Sequence, residues 1–177
     1  NVPSVLSSMS DVNVDVKMVE DFFRSPCANL RAASDEQLRI CKMIKEGRSV
    51  CVNSVAGSGK TTTAMHLAQQ NPDKEIVMLT FNNRLRSETK DRIEMCDFSN
   101  IDAHTFHSFV NRAYMVPHCK NDVDMSKLCL DPDVSPSSPP SKYFNIQLLI
   151  IDEAQDMTPL YHKLVCKILE DIRAVSP

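Results

Sequence analysis

Glycine is nearly absent from this sequence, with only three in 177 residues (Gly47, Gly57 and Gly59), well under the usual share of roughly 7%. A chain this sparing with glycine keeps it where the backbone demands it, and two of the three fall in one short loop. Long apolar runs are missing too. None approaches the roughly 18 residues of a membrane span, so a membrane protein is not expected. The first residues carry Asp11, Asp15, Glu20 and Asp21 and lack the apolar centre of a secretory signal, so none is expected in that stretch. Seven cysteines occur without one C-x-x-C pair, and His118, Cys119 and Cys129 match no zinc spacing. Cys41, Cys51 and Cys166 fall inside apolar helix or strand patterns, the setting of reduced cysteine acting as a small hydrophobe. That usage points to an intracellular compartment, nucleus or cytoplasm. Strong net charge is also lacking. At −3 the chain has no global basic field, so a nucleic acid would be held by a local groove. No internal repeat is present. What remains, 42% hydrophobic and 24% charged residues, suits an ordinary globular domain with a sizeable core.

The stretch Ser54-Val55-Ala56-Gly57-Ser58-Gly59-Lys60-Thr61 has the form of a phosphate-binding loop. Ser49-Val50-Cys51-Val52-Asn53 ahead of it is expected to be a short buried strand, and Thr61 to Gln70, free of proline and glycine, a helix. That is the context in which the motif acquires meaning. Gly57 and Gly59 let the backbone curl so that successive N–H groups, from Ala56 through Thr62, face an anion. The helix directs its N-terminus and positive dipole end at the same place. Lys60 adds a full charge for phosphate, and the Thr61 hydroxyl is placed to ligate Mg²⁺. The strict pattern would have glycine where Ser54 stands.

Strands alternating with helices predict a parallel, doubly wound α/β sheet. Residues 1–32 form an N-terminal extension in which Met18, Val19, Phe22 and Phe23 have helical spacing. The main domain is expected over 33–177. Ser34-Asp35-Glu36-Gln37 opens a helix with a capping box, Ser34 as cap and Gln37 reaching back, and Gly47 stops it. Gln37 is also placed to set its amide against the edge of an adenine, donating and accepting at once. Strands are expected at Glu75 to Thr80 and Asn100 to Thr105, with helices at Asn82 to Glu94 and Phe106 to Met115. Five prolines among Asp and Ser make 116–142 an irregular loop or insertion. Leu148 to Ile151 is an apolar run of the kind expected of a strand buried on both faces, and Pro159 to Ile172 is a helix.

Asp152-Glu153-Ala154-Gln155-Asp156 follows that apolar strand, at the end where ligands bind in open α/β sheets. Two adjacent carboxylates there can divide their work. Asp152 can hold the Mg²⁺ touched by Thr61, while Glu153 orients and deprotonates a water. Alone, the same residues would also serve as a polar turn capping the next helix.

The order Gln37, A-G-S-G-K-T-T-T, L-T-F-N-N, H-T-F-H-S-F and I-I-D-E-A-Q-D resembles the UvrD/Rep-type superfamily 1 helicases over about residues 33 to 160. The resemblance implies the first RecA-like domain of such a motor, a P-loop NTPase using ATP and Mg²⁺. In that family the position of Ser54 is often not glycine. Gln37 would read adenine; Ala56, Gly57, Ser58, Gly59, Lys60, Thr61 and Thr62 would cradle the nucleotide; Thr61 and Asp152 would hold the metal. Lys60, Glu153 and Gln155 would be catalytic, with Gln155 sensing the γ-phosphate. Thr80, Phe81, Asn82 and Asn83, with Thr105, Phe106 and His107, would line a track for single-stranded DNA. Rings leaving strands into surface loops suit base stacking, and the plain alternative is that both phenylalanines are core. A second RecA-like domain, in cis or in trans, is the implied protein partner, since the arginines that complete such a site would come from there. Two other readings stand beside this one: a P-loop module that binds ATP and DNA with little turnover, and another P-loop enzyme such as a small-molecule kinase.

Overall fold

The computed structural model of the chain describes residues 30–55, 57–115, 119–130 and 142–175. Three strands, β1 (Ile76–Thr80), β2 (Ile101–Thr105) and β3 (Leu148–Ile151), form a parallel sheet in the order β2-β1-β3. Among the described residues it is accompanied by the α-helices α1 (Asp35–Lys45), α2 (Lys60–Gln70), α3 (Asn83–Met95), α4 (Phe106–Ala113), α5 (Asp122–Leu130) and α6 (Pro159–Val175). This is the α/β, RecA-like architecture expected of a P-loop domain.

β1 builds both layers of the core because successive side chains of a strand point to opposite faces. Val77 and Leu79 pack with α4, α5 and α6 around Phe106, Phe109, Met125, Phe144, Leu164 and Ile168. Ile76 and Met78 pack the other way with Ala64, Met65 and Ala68 of α2 and Ile93 of α3. The register pairs Thr80 with Thr105 and Leu79 with both His104 and Ile151. All three strands therefore end together, and Phe81, Phe106 and Asp152 leave the sheet along one edge. Asn100 fastens the opposite edge. Its Nδ2 donates to the carbonyls of Ala68, Asn71 and Lys74, tying the C-terminus of α2 to the start of β2.

Several expectations are corrected. Residues 49–53 are not a strand, and Val52 is 46% exposed. A strand exists through its ladder, and this segment pairs with none of β1, β2 or β3. β3 is consequently an edge strand among the described residues and only partly buried. Within 116–142, expected to be irregular, 122–130 is α5: Met125 and Leu128 enter the core, and Asn121 Oδ1 accepts from Asp124 N at its first turn. The helical spacing at Met18 to Phe23 lies outside the described residues. Of Cys41, Cys51 and Cys166, only Cys41 is buried. Cys96 is disulfide-bonded, so cysteine usage does not by itself carry the reducing compartment inferred from it. No helix among the described residues is long and apolar enough to cross a membrane.

Candidate nucleotide-binding site

The phosphate loop has the backbone that its glycines predict. Gly57 (φ +79) and Gly59 (φ +92) are both left-handed, a region side chains rarely adopt. Gly59 caps α2 without contributing a side chain, so the helix N-terminus stays open to an anion. A Cβ on Gly59 would come within 3.3 Å of Gln37 Nε2, a second reason for glycine there. Ala56 lies outside the described residues.

Gln37 does what the capping box requires. Its Oε1 accepts from Ser34 N at 3.0 Å, and Ser34 Oγ accepts from Gln37 N at 3.3 Å. Its Nε2 donates to Thr63 Oγ1 at 3.2 Å and sits 3.5 Å from Gly59 O, while Thr63 Oγ1 donates to Gly59 O at 3.1 Å. The amide thus braces α1 against the first turn of α2. Thr63 was not singled out from sequence; its only signal was membership of the threonine run after Lys60.

The acidic turn meets the loop across the sheet edge. Asp152 N donates to Leu79 O at 2.9 Å, which places the turn at the end of β1. Lys60 Nζ lies 2.8 Å from Glu153 Oε1, and Gln155 Nε2 donates to Glu153 Oε2 at 2.5 Å. These contacts hold Glu153 below the usual carboxylate range, Lys60 first and then Gln155, and they raise Lys60 in turn. Glu153 has φ +51, left-handed and uncommon for a residue with a side chain. Asp152 is 9% exposed, and burial together with the neighbouring Glu153 charge raises its pKa. Such a carboxylate is better satisfied facing a cation than standing alone.

The residues expected to line a single-strand track divide into two groups. Phe106 is 1% exposed and part of the core, so its ring offers no face to a base; this corrects its assignment. The reason is position: it is the first residue of α4 and turns into the core cluster that also holds Val77 and Leu79. Thr105 is buried and accepts from Ser108 N at 3.2 Å, capping that helix. Thr80 is likewise buried, and Asn82 N donates to its hydroxyl. Phe81 is partly exposed, Asn82 and Asn83 are exposed, and His107 is partly exposed. Asn82 Oδ1 also accepts from Leu85 N at 2.8 Å as the cap of α3. Sequence reasoning missed Tyr161, whose ring centre is 5.2 Å from that of Phe81 and 4.9 Å from that of Phe106. Nothing in the spacing along α6 distinguishes it from a core position.

Among known families, the AAA domain matches residues 37–175 of this chain. No curated protein and no solved structure matches it.

Proposed function

The chain belongs to the AAA domain family, and from that premise we propose that it is the ATP-hydrolysing motor domain of a UvrD/Rep-like superfamily 1 helicase, coupling hydrolysis to movement along single-stranded DNA. The observation that carries the reading is the contact of Lys60 with Glu153 at 2.8 Å, which joins the phosphate loop to the acidic turn, within which Gln155 donates to Glu153 at 2.5 Å.

In this reading the open N-terminus of α2 and Lys60 bind the β- and γ-phosphates. Gln37 would turn its amide to adenine by giving up its bonds to Ser34 N and Thr63 Oγ1. Water attacks the γ-phosphorus, the bond to the β–γ bridging oxygen breaks, and Glu153 takes the water's proton. Gln155, already bonded to Glu153, transmits the loss of the γ-phosphate toward the DNA track of Phe81, Asn82, Asn83 and His107. Thr61 and the buried Asp152 would hold a Mg²⁺ ion, which would offset charge on the phosphates. Among the described residues no cluster of three His, Cys, Asp or Glu side chains offers a separate metal site.

Among the described residues no arginine forms a hydrogen bond or ion pair with Asp152 or Glu153. We therefore assign the cation that offsets charge on the transferring phosphoryl group to a second RecA-like domain, in cis or in trans. That group contributes on the order of 10³–10⁵ in turnover. The rival reading, an ATP- and DNA-binding module with little turnover, draws support from Glu153 having both oxygens engaged. An ATPase assay of the 177 residues with and without poly(dT) and with an added second domain separates the two. The motor reading expects slow hydrolysis by this chain alone and DNA-stimulated hydrolysis once the second domain is supplied. Failure to hydrolyse under every condition overturns it.

A further inference from the structure

Beside the sheet edge, Phe81, Phe106 and Tyr161 form a three-ring cluster, with Phe81 and Phe106 centres 4.9 Å apart. Tyr161 comes from α6, and its hydroxyl points out of the cluster toward the first residue of α5. There it donates to Asp122 Oδ1 at 3.0 Å. The same oxygen lies 3.4 Å from His107 Nε2. One carboxylate oxygen thus accepts from the Tyr161 hydroxyl, while His107 Nε2, buried and without a hydrogen-bond partner, faces the same oxygen, and the Tyr161 ring lies beside the partly exposed ring of Phe81.

A phosphodiester presents the same chemistry: an anionic oxygen that accepts from hydroxyl and nitrogen donors, attached to a base that stacks on an aromatic face. We propose that Tyr161 and His107 form a phosphodiester contact of the single-strand track, and that Asp122 occupies that contact as an internal competitor which the strand displaces. The inference rests on the single-strand reading above and adds to it a further binding residue and a built-in restraint.

The restraint is light. The Asp122 side chain is 60% exposed, so its hold is that of a surface pair. α5 is anchored independently by Met125 and Leu128 in the core. Releasing the carboxylate therefore needs a rotamer change and leaves the helix packed.

The test is fluorescence anisotropy with a labelled oligo(dT) on the full 177-residue chain, each variant checked for its thermal transition. Asp122→Ala should bind roughly two- to fivefold more tightly than the unaltered chain, the scale of one surface pair removed. In a Tyr161→Phe, His107→Ala background the same replacement should bring no gain. Glu170→Ala, an equal charge change at an exposed position of α6, should leave the affinity where it was. Unchanged affinity in Asp122→Ala overturns the restraint while leaving the single-strand reading in place. So does a gain that persists in the doubly altered background or is matched by Glu170→Ala, because the effect would then be long-range charge alone. If no protein binds the oligonucleotide while Mg·ATP binding is retained, the single-strand reading fails and this inference with it.

Discussion

Lys60 Nζ and Glu153 Oε1 stand 2.8 Å apart, so the cation proposed for phosphate and the carboxylate proposed for water neutralise each other. Nucleotide that claims the lysine would release the carboxylate, tying the readiness of the base to occupancy of the loop.

Replacing Lys60 with Ala should abolish measurable ATP binding or turnover and leave the fold intact, since Lys60 enters neither core cluster. Isothermal titration with Mg·ATP, alongside a circular dichroism melt, checks both halves. Unchanged nucleotide affinity would remove the phosphate-loop assignment.

Glu153→Gln keeps the shape of the side chain and its bond to Gln155 but removes the base. Nucleotide binding should survive while hydrolysis falls by roughly 10²–10⁴-fold. Single-turnover kinetics with labelled ATP reads the chemical step directly. Loss of binding as well would make Glu153 a structural or metal-holding residue.

Asp102 carries a pH dependence. Burial pushes its carboxyl up, but His104 at 2.8 Å and Lys90 at 3.1 Å outweigh that and hold it well below the usual carboxylate range. A carboxylate depressed on folding stabilises fully above its unfolded pKa of about 3.9, and the contribution disappears as pH falls through the folded value. Asp102→Asn should therefore cost about 1 kcal/mol or less at pH 7, the side chain being screened by solvent. The difference should shrink as the pH is lowered below about 4. Urea unfolding at a series of pH values measures it; a gap independent of pH would show that the ionised form is not what matters.

Asn100→Ala removes the amide that spans the carbonyls of Ala68, Asn71 and Lys74. The stability loss should be about 1–2 kcal/mol, the cost of removing one donor from three partly buried carbonyls, of which those of Ala68 and Asn71 keep the backbone donors Asn71 N and Lys74 N. Denaturant midpoints give the number, and ATP affinity should be unaffected because the clamp lies at the far edge of the sheet.

Sequence reasoning located β1, β2 and β3 and the principal helices because their signals are local: two-sided apolar strands, a capping box at Ser34 and Gln37, and left-handed glycines at Gly57 and Gly59. It failed where the deciding partner is distant. Val50 and Val52 suit a strand, yet strand formation depends on a neighbour the segment does not engage. Phe106 has a position after β2 from which a ring can face outward, but it is 1% exposed in the cluster shared by β1, α4 and α6. The helix at 122–130 was obscured by surrounding prolines and acids, although Met125 and Leu128 already had the spacing of an inward face. Asp122 and Tyr161 meet only because α5 packs on α6, which no spacing along either helix announces.

The separation of the two halves of the site along the chain has a consequence in time. Lys60 leaves the ribosome about 90 residues before Glu153. At roughly 5–20 residues per second, the nascent chain carries a phosphate loop without its acidic counterpart for some 5 to 20 seconds. During that interval β1 can pair with β2 through the intervening α3, but its other edge stays open until β3 emerges. Among the described strands the latest made is the one that brings Asp152 and Glu153, so pairing the second edge of β1 and bringing the acidic turn to the loop are a single event in the birth of the molecule.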